Sequence, residues 1–104
     1  MGQLIVLVTT ASAEEGARLG RVLLEERLAA CVNAVPVASA YWWRGQIEEA
    51  GETLLIVKTA DRHLDALTAR IRALHSYRVP EVVALPIVGG NADYLRWIEE
   101  SVLR

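Results

Sequence analysis

The stretch Cys31-Val32-Asn33-Ala34-Val35-Pro36-Val37-Ala38-Ser39-Ala40-Tyr41-Trp42-Trp43 decides the reading of this chain. It is rich in β-branched, small and aromatic residues and has no helical period, so it reads as one strand. Arg44-Gly45-Gln46 follows as a turn. Ile47 to Glu52 and then Thr53-Leu54-Leu55-Ile56-Val57-Lys58-Thr59 return as the partner, the second part reading as buried. At about 3.3 Å per residue the first strand spans about 40 Å. A compact domain of ~100 residues has a radius of gyration of only about 13 Å. The hairpin therefore projects past the rest of the fold, or bends back on it. Pro36 has no N–H for a ladder, which places its strand at a sheet edge or a bulge. A projecting ribbon ending in Tyr41, Trp42 and Trp43 is a poor solvent feature, and a second copy covering it is the simplest remedy.

Working outward, Leu4 to Val8 is a continuous apolar run, a central strand. Ser12 with Glu15 three residues on is a capping box opening a helix that runs to about Leu28. Its expected buried stripe is Ala13, Ala17, Gly20, Leu24 and Leu28, with Gly20 marking a close approach of helix to sheet. After the hairpin, Asp61 is expected to cap a second helix with the stripe Leu64, Leu67, Ile71 and Leu74, and Pro80 forbids its continuation. Val82 to Val88 reads as a fourth strand, broken late by Pro86. Gly89-Gly90-Asn91 then turns into a short helix carrying Tyr94, Leu95, Trp97, Ile98 and Val102. The order β, α, β, β, α, β, α predicts an α/β (α+β) chain. It is a single ferredoxin-like βαββαβ sandwich over 1–104, with a long central hairpin and an extra C-terminal helix.

Composition narrows the function. The 104 residues are 53% hydrophobic, more apolar material than a small monomer easily hides, which again points to a homo-oligomer. Eleven basic against thirteen acidic residues give a net charge of -2, so no footprint for nucleic acid or an anionic membrane is present. No signal peptide or membrane span is legible, and the single Cys31 forms no disulfide within the chain, so a reducing cytoplasm is the expected location. No nucleophile elbow, Walker A or G-x-G-x-x-G motif occurs, and the expectation is a binding protein and not an enzyme.

One series of residues is recognisable. Leu28-Ala29-Ala30-Cys31-Val32-Asn33 leads to Tyr41-Trp42-Trp43 with Gly45 and Ile47, then Lys58-Thr59, His75-Ser76-Tyr77, Pro80-Glu81, Pro86, and Asp93-Tyr94-Leu95 with Trp97. In order and spacing, over nearly the whole chain, this series resembles the CutA family of divalent-cation-tolerance proteins. The resemblance implies a tight cytoplasmic homotrimer built through the long hairpins and linked to copper and other divalent metals. The fold is also similar to that of the trimeric PII signalling proteins, so a small-ligand sensor with clefts between subunits is the alternative. Family members proposed to bind copper carry a Cys at the end of the first strand and a His-His pair before the Tyr. Thr9 and Leu74-His75 stand at those places here.

The candidate metal residues are therefore His75 and Glu81, with no tightly bound cofactor and at most weak Cu²⁺ binding. That binding should fall as pH drops through about 6.5, since a ligating imidazole must be neutral. Capping of its helix is the other reading of His75. Tyr77, Lys58 and Trp43 are candidates for an intersubunit cleft or ligand site. The plain alternatives are a Tyr packed on the core, a snorkelling Lys and an interface Trp. Glu48, Glu49 and Glu52 form the acidic hairpin face, where cations would collect if His75 does not hold them.

Overall fold

In a computed structural model, residues 2–103 are described, and they form one four-stranded antiparallel sheet with three α-helices. Strand β1 (Gln3–Thr10) leads to helix α1 (Ala13–Glu25). Strands β2 (Cys31–Trp43) and β3 (Gln46–Ala60) make the long hairpin. A 3₁₀ turn, Asp61–His63, opens into α2 (Leu64–Leu74), followed by β4 (Val83–Pro86) and α3 (Ala92–Ser101). The sheet order is β2-β3-β1-β4, with every neighbouring pair antiparallel, as the split βαβ pattern requires.

The hairpin is in unbroken register from Trp43↔Gln46 to Cys31↔Lys58. Arg44 (φ 51) and Gly45 (φ 79) both take left-handed backbone, the two-residue turn whose twist matches that of the flanking strands. Gln46 already belongs to β3. The ribbon does not bend back: the molecule measures 44 × 25 × 21 Å. Pro36 lies on β2, an outer strand, so its missing N–H costs the sheet no bond.

Register and alternation divide the sheet into two faces. Val6, Val8, Leu55 and Val57 point to one side and are fully buried beneath Leu19 and Leu23 of α1 and Leu67 and Ile71 of α2. The stripe expected on α1 is displaced. Its buried residues are Glu15, Gly16, Leu19, Gly20 and Leu23, while Ala13 and Ala17 are exposed and Leu24 is 36% exposed. The face that the sheet covers lies a fraction of a turn from the Leu24 stripe, on the side of Leu19 and Leu23. Gly20 does mark the close approach: a Cβ there would lie 3.1 Å from Val32 Cγ1. The helix stops at Glu25, and Leu28 is buried in the loop after it.

Asp61 does not cap α2. Its carboxylate accepts from the Gly2 backbone N–H at 2.9 Å, tying the start of β1 to the end of β3, and α2 begins without a side-chain cap. On α2, Leu67 and Ile71 are buried, whereas Leu74 is 42% exposed. The fourth strand is shorter than the sequence suggests, four residues against the expected seven: Val83 to Pro86 pair in register with β1, and the Ile87 N–H adds a last bond to the Gln3 carbonyl at 3.0 Å.

The second face of the sheet carries Ile5, Leu7, Val35, Leu54, Ile56, Val83 and Leu85 by the same alternation. Helix α3 covers one end of it: Ile98 is fully buried, and Glu99 accepts from Gln3 Nε2 at 3.0 Å. The rest stays open in the single chain, with Val35, Val83 and Leu85 each 40% or more exposed.

Candidate functional site

The chain's main polar cluster lies where the end of β1, the start of α1 and the loop after α2 meet. Glu15 enters it because the cap at Ser12 fixes the first turn of α1: the Glu15 N–H donates to Ser12 Oγ at 3.1 Å. The Glu15 carboxylate reaches back to the Ala11 N–H at 3.3 Å. It also accepts from the Ser76 backbone N–H at 2.8 Å and the Ser76 hydroxyl at 2.9 Å. Burial alone would push its pKa up, but the bonds from Ser76 and Ala11 favour the charged form and hold it below the ordinary glutamate value. One capping residue thus joins α1 to the loop after α2.

His75 sits beside it with its side chain fully buried. Its Nε2–H donates to the Thr9 carbonyl at 2.7 Å, and its Nδ1 accepts from the Tyr77 N–H at 2.9 Å. A ring that accepts at Nδ1 and faces a carbonyl at Nε2 is the neutral Nε2–H tautomer. Both nitrogens are in use, so the imidazole offers no lone pair to a cation in this arrangement. Thr9 and His75, the two positions set apart by the family resemblance, do meet, but through a carbonyl and an N–H.

Tyr77 continues the cluster. Its ring lies 4.8 Å from that of His75, and its hydroxyl donates to Glu52 at 2.6 Å. Burial first, and then the Glu52 carboxylate that accepts its proton, push the phenol pKa far above the usual tyrosine value. Tyr77 therefore stays protonated at any physiological pH, a hydrogen-bond donor and not a base. Every buried side-chain nitrogen and oxygen among the described residues has a partner. Such a network specifies a geometry and leaves no group reaching for a ligand.

The other expected site residues lie elsewhere. Glu81 is exposed, with no hydrogen bond or ion pair to His75. Among the described residues no group of three or more His, Cys, Asp or Glu could hold a metal ion. Within one chain, His75 and Glu81 are thus not brought together as a chelate. Glu52 likewise leaves the acidic hairpin face, because Tyr77 holds it, and Glu48 and Glu49 alternate across the ribbon.

Lys58 faces away from the core. Its Nζ donates to Asn33 Oδ1 at 2.9 Å, approaches Cys31 Sγ at 3.9 Å and stands 5.7 Å from the Tyr94 ring centre. Tyr94 and Trp97 lie 5.4 Å apart and are about two-fifths exposed. Trp43 is at the far tip, 53% exposed, with the Arg44 guanidinium 5.3 Å from the centre of its ring. The structure thus joins Tyr77 to His75 and keeps Lys58, Trp43 and Glu81 apart from them. Sequence reasoning missed Glu15, Ser76 and Glu52 as members of the cluster. The capping box was the available signal for Glu15, but it names only the local half of that residue's bonds.

Comparison with known proteins adds to this geometry. The model of the family "CutA1 divalent ion tolerance protein" matches residues 4–101. The rice (Oryza sativa subsp. japonica) "Protein CutA 1, chloroplastic" is 50% identical over 99 residues, 94% of this chain and 56% of that protein. The Thermus thermophilus "Divalent-cation tolerance protein CutA" is 49% identical over 98 residues, 93% of this chain and 95% of that protein. The chain thus spans about half the length of the plant relatives, at 56% for rice and 54% for Arabidopsis thaliana, and nearly all of the Thermus one. Among solved structures, CutA1 from Oryza sativa superposes with a TM-score of 0.96 at 48% identity, covering 99% of this chain and 95% of that one. The periplasmic divalent cation tolerance protein CutA from Archaeoglobus fulgidus superposes with a TM-score of 0.95 at 40% identity, covering 97% and 99%.

Proposed function

Because this chain belongs to the CutA1 divalent ion tolerance family, we propose that it serves divalent-cation tolerance, copper included, as a homotrimer and as a binding protein without catalytic activity. The observation that carries the reading is the uncovered apolar surface. Trp42 is 74% exposed, Ile47 64% and Trp43 53% at the ribbon tip, and Val83 and Leu85 lie open on the sheet. Monomeric proteins rarely leave such a patch in water. The two outer strands, β2 and β4, each keep one row of backbone groups unpaired within the chain. A head-to-tail contact of one copy's ribbon on the next copy's sheet closes into a ring, and three is the number the family resemblance implies.

Cytoplasmic action is part of the proposal. No helix among the described residues is long and apolar enough to cross a membrane, while relatives are named chloroplastic or periplasmic. The buried, hydrogen-bonded His75 argues that any cation is held weakly and at groups contributed by more than one copy. Two measurements test the reading. Light scattering should give three times the 11.4 kDa chain mass, and a monomer at micromolar concentration overturns the assembly. Expression in a bacterium lacking its own relative should restore growth on copper-supplemented medium; unchanged sensitivity overturns the cation role. A calorimetric Cu²⁺ titration then locates the ion, since His75→Ala should leave the affinity nearly unaltered.

A further inference from the structure

An open groove lies between helix α2 and strand β4. Two adjoining cavities, of about 290 and 250 Å³, share Thr68, Arg72 and Val82 in their walls and so form one channel. Each alone falls just below the range of about 300–1,000 Å³ for small-molecule sites. The floor is apolar, made by Leu64, Val82 and Ala84, all three partly buried against the core. Arg78 lines one end and Asp65 the other, with Arg72 in the stretch that the two cavities share.

The two arginines differ from most others on this molecule. Arg21, Arg62, Arg70 and Arg96 are each spent on a carboxylate, and Arg27 on a backbone carbonyl. Arg70, two residues from Arg72 on the same helix, donates to both Glu26 oxygens at 3.0 Å. Arg72 and Arg78 donate to nothing and pair with no acid among the described residues, although Glu81 follows on the same loop. An unspent guanidinium keeps five donors in a planar fork that matches an oxyanion edge to edge. Two of them bordering one channel, in a chain whose net charge is -2, make a local exception to the surface. Asp65 repels an anion at its own end, so a bound molecule has one orientation: oxyanion toward Arg72 and Arg78, apolar body over Leu64, Val82 and Ala84.

We infer that this groove binds a small organic anion, its phosphate or carboxylate held by Arg72 and Arg78 and its apolar body laid along the α2–β4 floor. The inference goes beyond the cation role and needs neither metal nor His75. It is tested with the assembled protein in a metal chelator, by amide chemical-shift titration and calorimetry with four probes: phenyl phosphate, benzoate, inorganic phosphate and phenol. Phenyl phosphate or benzoate should bind with a dissociation constant of about 1 mM or tighter and shift the amides of Thr68, Arg72, Arg78 and Val82. Inorganic phosphate, lacking the body, and phenol, lacking the charge, should each bind about tenfold more weakly. The stronger of the first two assigns the head group as phosphate or carboxylate. The double substitution Arg72→Ala with Arg78→Ala removes two exposed side chains and should weaken binding at least about tenfold at unchanged circular dichroism. Arg21→Ala, whose guanidinium is spent on Glu25, should leave it unaltered. Shifts that centre on the hairpin, equal affinity for phenol, or a double variant that binds like the parent overturns the inference. A failed copper-growth test with intact probe binding would overturn only the cation role.

Discussion

The two halves of β3 are built from one strand and meet opposite fates. From Thr53 to Ala60, alternate residues are buried, and Leu55 and Val57 have no exposure at all because α1 and α2 lie over them. From Gln46 to Glu49 every residue is exposed, and Ile47 and its cross-strand partner Trp42 stand in solvent. Apolar residues occur in both halves. The difference is the covering layer: this chain has helices enough for the base of its sheet and none for the ribbon. A strand that keeps its register well beyond its own core leaves an apolar ribbon that its own chain does not cover.

The comparison breaks first at the base. Leu55→Ala empties a fully buried site beneath two helices and should cost about 4 kcal/mol of stability, read as a fall in the urea midpoint at unchanged subunit number. If that variant instead dissociated while each subunit stayed folded, the base of the strand would belong to the interface. Trp43→Ala makes the complementary cut. It removes a half-exposed aromatic from the tip and should weaken assembly by about 3 kcal/mol, seen as dissociation on dilution in sedimentation velocity. An unshifted association constant would show the tip to be plain solvent surface.

Glu15→Gln tests the tie between α1 and the loop after α2. It should lower stability by about 1.5 kcal/mol near neutral pH, since the Ser76 and Ala11 donors lose a charged acceptor. The sign with pH follows from the lowered pKa of Glu15. The carboxylate's contribution is fully present above the ordinary glutamate value of about 4.3 and is lost as pH falls through the lower folded value. The gap between parent and variant in urea melts should therefore close in acid; a gap that persists there would mean that packing and not charge is at work. Gly45→Ala is the mildest change. At φ 79 an added Cβ is strained, and the cost should be about 1 kcal/mol, measured as a small drop in melting temperature. A neutral result would show that the turn relaxes freely at the end of the ribbon.

Much of the candidate cluster was hidden in the sequence for one reason. His75, Tyr77 and the cap at Ser12–Glu15 are all visible there, but the bonds joining Glu15 to Ser76 and His75 to Thr9 span 61 and 66 residues. Local spacing shows that a histidine ends a helix. It does not show that a carbonyl and a backbone N–H fill both ring nitrogens, and that alone separates a structural imidazole from a ligand. Glu52 is similar: a hairpin acid by position, a partner of Tyr77 by folding. The groove of Arg72 and Arg78 was equally silent, since those residues are two of ten arginines until α2 and β4 set them along one channel.

What the sequence determined by itself was the order of elements, the length of the hairpin and the confinement of Pro36 to an edge or a bulge. Each follows from short-range chemistry: alternation, a turn that needs positive φ at Gly45, and a residue with no N–H to give. The tertiary structure alone decided which face of α1 is buried, since Leu19 and Leu23 displaced the expected Leu24 by a rotation of a fraction of a turn. It alone decided how far β4 pairs, and which polar groups are spent and which are free. A helix face or a lone pair is fixed by what lies against it, and that partner comes from a distant part of the chain.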